Sequence, residues 1–146
     1  MTVQDRRFGP DWLPRWELIA LAVGDLIALI IFAALGRSSH NMDAGEGPLL
    51  AVLNTAAPFA VAWLLTGAAV GLYTGRALYP PGRVLLRTLL AGLIAGPFGV
   101  ALRAVWLNRP IIWTFVLVAT ATSTLAMLVW RFAWSRLRRL WWPELP

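Results

Sequence analysis

The first long apolar stretch of the chain is WELIALAVGDLIALIIFAAL, which covers residues 16–35. An α-helix rises about 1.5 Å per residue, so about 20 apolar residues cross a bilayer core that is about 30 Å thick. Residues 16–35 therefore have the length and composition of a transmembrane helix. Three further stretches share these properties, and they cover residues 49–73, 84–107 and 111–130. Together they predict an integral membrane protein, because a soluble domain of this length has no use for four such runs.

The composition of the whole chain agrees with this prediction. Hydrophobic residues make up 59% of the 146 residues and charged residues 14%, whereas soluble domains average roughly 45–50% and about 25%. The mean hydropathy is +0.67. Only short loops and two tails remain outside the four stretches, so we predict a single all-α bundle of four transmembrane helices at residues 16–130. Residues 1–15 and a basic, tryptophan-rich segment at 131–146 are predicted to be its tails.

The arginines are distributed unevenly between the two sides of the predicted bundle. All thirteen basic residues are arginines, and nine or ten of them fall in the N-terminal tail, the second loop and the C-terminal tail. Two or three fall in the first and third loops, depending on whether Arg103 at the edge of the third stretch is included. Short loops rich in arginine stay on the cytoplasmic side of a membrane. We therefore predict that both termini face the cytoplasm.

The sequence argues against several classes of site. It contains no cysteine, which excludes disulfides, thiolate metal sites and cysteine nucleophiles. His40 is the single histidine, so one chain cannot build a metal site from several histidines. No motif of a soluble enzyme is present, and the net charge of +6 is explained by arginines that flank apolar stretches rather than by nucleic-acid binding. We expect no catalytic residue, metal, cofactor or nucleic-acid partner.

One acidic residue lies deep inside the first stretch. A carboxylate at the depth of Asp25 costs about 2.5–3.5 kcal/mol on insertion scales unless it is paired or protonated, so it marks a candidate functional site. Its predicted partners are Arg103, near the outer end of the third stretch, and Asn54, near the outer end of the second. A long guanidinium stem, helped by Asn54 or a water, would span a depth gap of roughly 9 Å. We predict a polar cluster of these three residues in the outer half of the bilayer.

Arg37 and His40 follow the first stretch and are predicted to lie at the outer mouth of this cluster. Three interpretations remain open. Hydrogen bonds among the polar groups hold the helices together; the cluster binds or relays a proton or a small solute; or the side chains of Arg37 and Arg103 extend to the lipid headgroups.

Other residues predict how the helices bend and meet. Pro58 and Pro97 each remove a backbone hydrogen bond within a predicted helix, so both are predicted helix kinks. Gly92 and Gly96 have the four-residue spacing that lets two helices approach closely, either within one chain or between two copies. Hydroxyl side chains near the centre of the fourth stretch either bond to their own helix or line a polar seam. Trp63 needs a separate account, because it lies inside the second stretch whereas most tryptophans flank a stretch, at the headgroup level.

Several of these residues belong to short motifs that follow one another in a distinctive order. They are Asp25, Gly36-Arg37-x-x-His40, Pro58-Phe59 with Trp63, Gly99-x-x-x-Arg103 and Phe115-Val116-x-Val118-Ala119-Thr120. Their order and spacing resemble domain of unknown function family 3054, a family of bacterial and archaeal membrane proteins, over roughly residues 16–130. The turn Asn108-Arg109-Pro110 lacks the glycine that this family commonly has there. The resemblance implies the four-helix architecture and a prokaryotic inner membrane, but it supplies no reaction.

Two classes of function follow from these observations. The first is the binding or passage of a proton or small solute at the cluster of Asp25, Asn54 and Arg103. The alternative is a non-catalytic accessory or assembly subunit of a larger membrane complex, in which the same residues only fix the helix packing. The predicted partners are the lipid bilayer and either further copies of the chain or such a complex.

Overall fold

The computed structural model describes residues 15–38, 47–74 and 81–141. These residues form four α-helices: α1 (Arg15–Ser38), α2 (Pro48–Ala69), α3 (Pro81–Trp106) and α4 (Trp113–Trp141). No β-strand occurs in these three ranges. All four helices are long and apolar enough to cross a membrane. The predicted all-α architecture of four candidate transmembrane helices is confirmed, and the chain is a multi-pass membrane protein.

The four helices form a closed ring. α1 packs on α2 and α4, and α3 packs on the same two helices. A short turn joins α3 to α4, with Asn108 in the left-handed backbone region (φ 49°), so these two helices run antiparallel. The N-terminal end of α1 and the C-terminal end of α4 lie at the same end of the bundle, because Glu17 bonds to Arg138 there. We call this the terminal end of the bundle, and the end that holds the α3–α4 turn the turn end.

Two helices do not end where the corresponding apolar stretches of the sequence end. α2 ends at Ala69, and the chain turns through Gly71, whose φ of +73° suits a residue without a side chain. α4 continues past residue 130 to Trp141, since Arg131 and the residues after it include no helix breaker before Pro143. The division predicted at residue 130 therefore falls within one continuous helix of 29 residues.

A seam of small residues joins α3 to α4. Gly92 lies against the side chain of Thr124 and Gly96 against that of Thr120, so closely that a Cβ atom on either glycine would overlap a threonine. The Gly-x-x-x-Gly spacing thus serves a contact within one chain. The hydroxyls of Thr122 and Ser123 donate to carbonyls of their own helix, as one of the two predicted alternatives has it. Those of Thr120 and Thr124 have no hydrogen-bond partner among the described residues.

The two helix prolines have different surroundings. α2 runs unbroken through Pro58, which is buried, and α3 runs unbroken through Pro97, which is exposed. That either residue kinks its helix stays a prediction.

Candidate functional site

Asp25 is completely buried where α1 packs on α4. The residue before it, Gly24, has no side chain, and the indole ring of Trp130 occupies the space that a Cβ atom would need. This contact places the Trp130 ring directly against the α1 backbone beside the carboxylate. A glycine next to an intramembrane acid is therefore part of what shelters the acid from lipid.

One oxygen of the Asp25 carboxylate accepts three hydrogen bonds. The donors to Oδ2 are Arg131 Nη2 at 2.6 Å, Tyr73 Oη at 2.7 Å and Trp63 Nε1 at 2.9 Å. Arg131 comes from α4, Trp63 from α2 and Tyr73 from the turn that follows α2. We call these four residues the Asp25 network. It ties α1 to both of its neighbours in the ring.

The ion pair in this network is sealed from solvent. The side chain of Arg131 is 1% exposed and that of Asp25 is 0% exposed, and the Arg131 guanidinium also lies over the Tyr73 ring at 5.6 Å. Opposite charges at 2.6 Å compensate each other in the apolar interior. Asp25 Oδ1 and Arg131 Nε and Nη1 are buried and have no hydrogen-bond partner among the described residues. Burial, followed by the charge of Asp25, raises the pKa of the Tyr73 phenol well above its usual range, so the phenol stays protonated as a donor.

A second buried ion pair lies nearer the helix ends. Arg138 Nε donates to Glu17 Oε1 at 2.8 Å, and both side chains are buried. Seven residues separate the two arginines on α4 and eight separate the two carboxylates on α1, which is about two helical turns in each case. The first and last helices are therefore joined by two ion pairs on matching faces.

The predicted pairing of Asp25 with Arg103 is wrong. Asp25 lies ten residues from the start of α1 and Arg131 lies ten residues from the end of α4, so the two are at the same depth. Arg103 lies three residues from the end of α3, whereas Asp25 lies thirteen residues from the end of α1 at Ser38. The difference of ten residues is about 15 Å of helix, and α3 packs on α2 and α4 rather than mainly on α1.

Two further sequence predictions need revision for the same reason. The carboxylate network lies in the half of the bundle at the terminal end, not in the half that was predicted to face outward with Arg103. Asn54 is half-buried six residues from the start of α2, and none of the donors to Asp25 Oδ2 comes from it. His40 lies outside the described residues.

Sequence reasoning missed the role of Arg131 and Tyr73. The sequence places Arg131 among the charges of the C-terminal tail, and it gives Tyr73, the last residue of the second stretch, no part in the site. One signal was available, because Trp63 had no interfacial explanation, and its indole N–H indeed bonds to Asp25.

Arg103 and Arg37, both predicted site residues, meet at a cavity at the turn end of the bundle. The cavity has a volume of about 370 Å³ and is walled mainly by apolar side chains from the second half of α1 and the first half of α4. Arg103 places its guanidinium carbon 4.8 Å from the centre of the Phe115 ring. Its Nε atom is buried and has no hydrogen-bond partner among the described residues. We call this feature the arginine cavity.

The described residues that line the arginine cavity include neither Asp nor Glu, so none of them offers Arg103 a carboxylate. Both carboxylates in the described ranges, those of Glu17 and Asp25, bond to arginines at the other end of the bundle. Arg103 is instead within electrostatic reach of two more cations, Arg37 and Arg109. In the part of the chain that the structure describes, no group of three metal-ligating side chains occurs.

Comparison with known proteins identifies a family but no activity. No curated protein and no solved structure matches the chain. A family model described as "Protein of unknown function (DUF3054)" matches residues 22–134, a span that includes the Asp25 network and the arginine cavity. Because this match covers well over half of the 146 residues, the chain belongs to the DUF3054 family of proteins of unknown function.

Proposed function

We propose that this protein binds a small anionic solute in the arginine cavity, and that the Asp25 network holds the bundle together. The observation that carries the proposal is Arg103. Its charge borders a cavity of about 370 Å³, its Nε atom is buried without a described partner, and no acidic residue of the described ranges lines the same space. A buried donor without an acceptor is costly, and a bound carboxylate or phosphate oxygen would satisfy it.

The Asp25 network is less suited to carrying a proton. Three donors converge on one carboxylate oxygen, and one of them is a guanidinium at 2.6 Å. Protonating Asp25 would leave Arg131 as an uncompensated buried cation, which is strongly unfavourable. Of the interpretations left open by the sequence, the network fits helix pinning and the arginine cavity fits solute binding.

We infer the location of the cavity from the distribution of arginines. With both termini in the cytoplasm of a prokaryotic cell, the turn end of the bundle faces outward and the cavity opens in the outer half of the inner membrane. The chain has no cysteine, so single cysteines placed at Ser38, at the end of α1, and at Thr2, in the N-terminal tail, report each side directly. Labelling of Ser38→Cys from the cytoplasm alone would reverse this orientation. In this proposal the protein binds its ligand without catalysis.

Thermal unfolding with added anions tests the binding function. The protein is placed in phosphatidylcholine nanodiscs, and its tryptophan fluorescence is followed with orthophosphate, acetate or laurate present. A ligand at one hundred times its Kd stabilises the folded state by about 2.7 kcal/mol. We expect at least one of the three anions to raise the Tm of the wild type.

Two arginine variants decide whether that stabilisation comes from the cavity. Arg103→Met keeps the length of the side chain and removes its charge, and it should abolish the anion-dependent rise in Tm. Arg87→Met is the matched control, because Arg87 lies on the same helix and does not line the cavity. If no anion raises the Tm, or if the rise survives in Arg103→Met, the proposed function fails.

A further inference from the structure

The arginine cavity is polar at one end and apolar along its length. Arg37 lies next to the last residue of α1 and Arg103 three residues before the end of α3, so both charges are at the turn end. From there the wall follows α4 from Phe115 to Ala126, eleven residues or about 16 Å of helix. A ligand that fills this space has an anionic end and a longer apolar part.

The deeper wall offers little to a polar ligand. The two threonines that line the cavity donate their hydroxyls to carbonyls of their own helices, Thr55 to Ala51 at 2.9 Å and Thr122 to Val118 at 2.6 Å. The remaining wall consists largely of aliphatic and aromatic side chains. A sugar or a nucleotide would lose its bonds to water there without replacing them, whereas an acyl chain would lose none.

The wall also meets the surface that faces lipid. Ile31 on α1 and Val118 on α4 line the cavity and are 54% and 61% exposed. These residues belong to neighbouring helices, so the cavity borders the bilayer along the α1–α4 contact. An amphiphile dissolved in the membrane reaches the cavity sideways, without crossing water.

We propose that the ligand of the arginine cavity is a single-chain anionic amphiphile such as a fatty carboxylate, with its head at Arg103 and its chain along α4. This inference rests on the proposed function and names its ligand class. The volume of about 370 Å³ is near the lower end of the range of about 300–1,000 Å³ for ligand pockets, which suits one chain rather than the two chains of a phospholipid.

Photolabelling in phosphatidylcholine nanodiscs tests this proposal. The probe is a fatty acid with a diazirine near its methyl end, and labelled peptides are mapped by mass spectrometry. We expect adducts to concentrate in the part of α4 between Val118 and Ala126. An excess of laurate should compete with the probe, whereas dodecanol, which has the chain without the charge, and acetate, which has the charge without the chain, should not.

Substitutions at the two ends of the cavity sharpen the test. Arg103→Met should lower labelling at least tenfold, and Arg87→Met should leave it unchanged. Ala126→Phe fills the deep end and should reduce labelling by the long-chain probe severalfold, whereas Ala121→Phe, on the exposed face of the same helix, should not. The Tm of each variant without ligand shows whether the bundle is intact.

The outcomes separate this inference from the function on which it rests. Stabilisation by acetate or orthophosphate equal to that by laurate would overturn the amphiphile and keep anion binding. Adducts spread evenly over lipid-facing residues, or competition by dodecanol equal to that by laurate, would also overturn it. Protection from labelling by phosphatidic acid but not by laurate would assign the site to a two-chain lipid and contradict the single chain.

Discussion

The two ends of the bundle hold arginine in opposite ways. At the terminal end Arg131 lies over an aromatic ring and bonds to a carboxylate at 2.6 Å. At the turn end Arg103 also lies over an aromatic ring, at 4.8 Å, but no carboxylate of the described residues lines its cavity. The buried Arg131 is paired with a carboxylate within the chain and contributes to structure. The half-buried Arg103 has no described carboxylate partner, so its charge is open to the ligand that we propose. This contrast supports the proposed binding site at the turn end more specifically than the mere presence of charge in an apolar span does.

The largest expected effect is the loss of the paired arginine. Arg131→Met should destabilise the bundle by about 3–5 kcal/mol, because Asp25 is left buried without its counter-charge. Arg103→Met is the matched comparison and should cost about 1 kcal/mol or less, the value of its contact with Phe115. Unfolding by sodium dodecyl sulfate in mixed micelles, followed by tryptophan fluorescence, measures both changes.

A double variant checks the reason for this difference. Asp25→Asn with Arg131→Met removes both charges, so it should regain part of the stability that Arg131→Met alone loses. Equal losses in Arg131→Met and Arg103→Met would show that the two ends do not differ in the way the structure indicates.

An intermediate effect is expected from the neutral donors of the Asp25 network. Tyr73→Phe removes one hydrogen bond to a charged acceptor and leaves the ring in place, so it should cost about 1.5–3 kcal/mol. Trp63→Phe should cost at least as much, because it also leaves a smaller ring in a buried position. The same unfolding assay applies, and a loss below about 0.5 kcal/mol in Tyr73→Phe would mean that its bond adds nothing beyond the ion pair.

The smallest effect is a dependence of stability on alkaline pH. The pKa of Tyr73 is raised in the folded protein, so its contribution is fully present below the unfolded value of about 10 and is lost as pH rises toward the folded value. Between these values the unfolded state releases a proton that the folded state keeps, and stability falls by at most about 1.4 kcal/mol per pH unit.

Tyr73→Phe provides the comparison for this pH dependence. Its stability should fall less steeply than that of the wild type above about pH 10, since the other tyrosine, Tyr79, is common to both proteins. Identical slopes in the two proteins would contradict the assignment of the raised pKa to Tyr73. Nothing comparable is expected at the turn end, where the described cavity residues include no tyrosine.

The sequence predicts the fold far better than it predicts the contacts of the site. Length and hydropathy are properties of single stretches, so four spans are visible without knowledge of their packing. The burial of Asp25 also follows from one residue, because a carboxylate in the middle of an apolar run must be sheltered. The partner of Asp25 cannot be predicted in this way. A partner must lie at the same depth, which depends on where both helices end, and it must lie on a helix that packs against α1.

Arg131 illustrates the difficulty. Relative to the apolar stretch, which ends at residue 130, Arg131 is a flanking charge. Relative to α4, which ends at Trp141, it lies ten residues inside the helix. The prediction that grouped Arg37 with Arg103 was closer, since both lie near the ends of their own helices and both line the arginine cavity. The depth of a residue near the end of a span can be read from the span itself. The partner of a residue in the middle of a span depends on how the helices pack.

The distance along the chain between Asp25 and Arg131 has a consequence for biosynthesis. The two residues are 106 positions apart, so the carboxylate of the first helix enters the membrane well before the ribosome has made its guanidinium partner. The separation along the chain is larger still for Glu17, whose partner is Arg138. Both described acids can therefore meet their bases only after residue 138 has been translated.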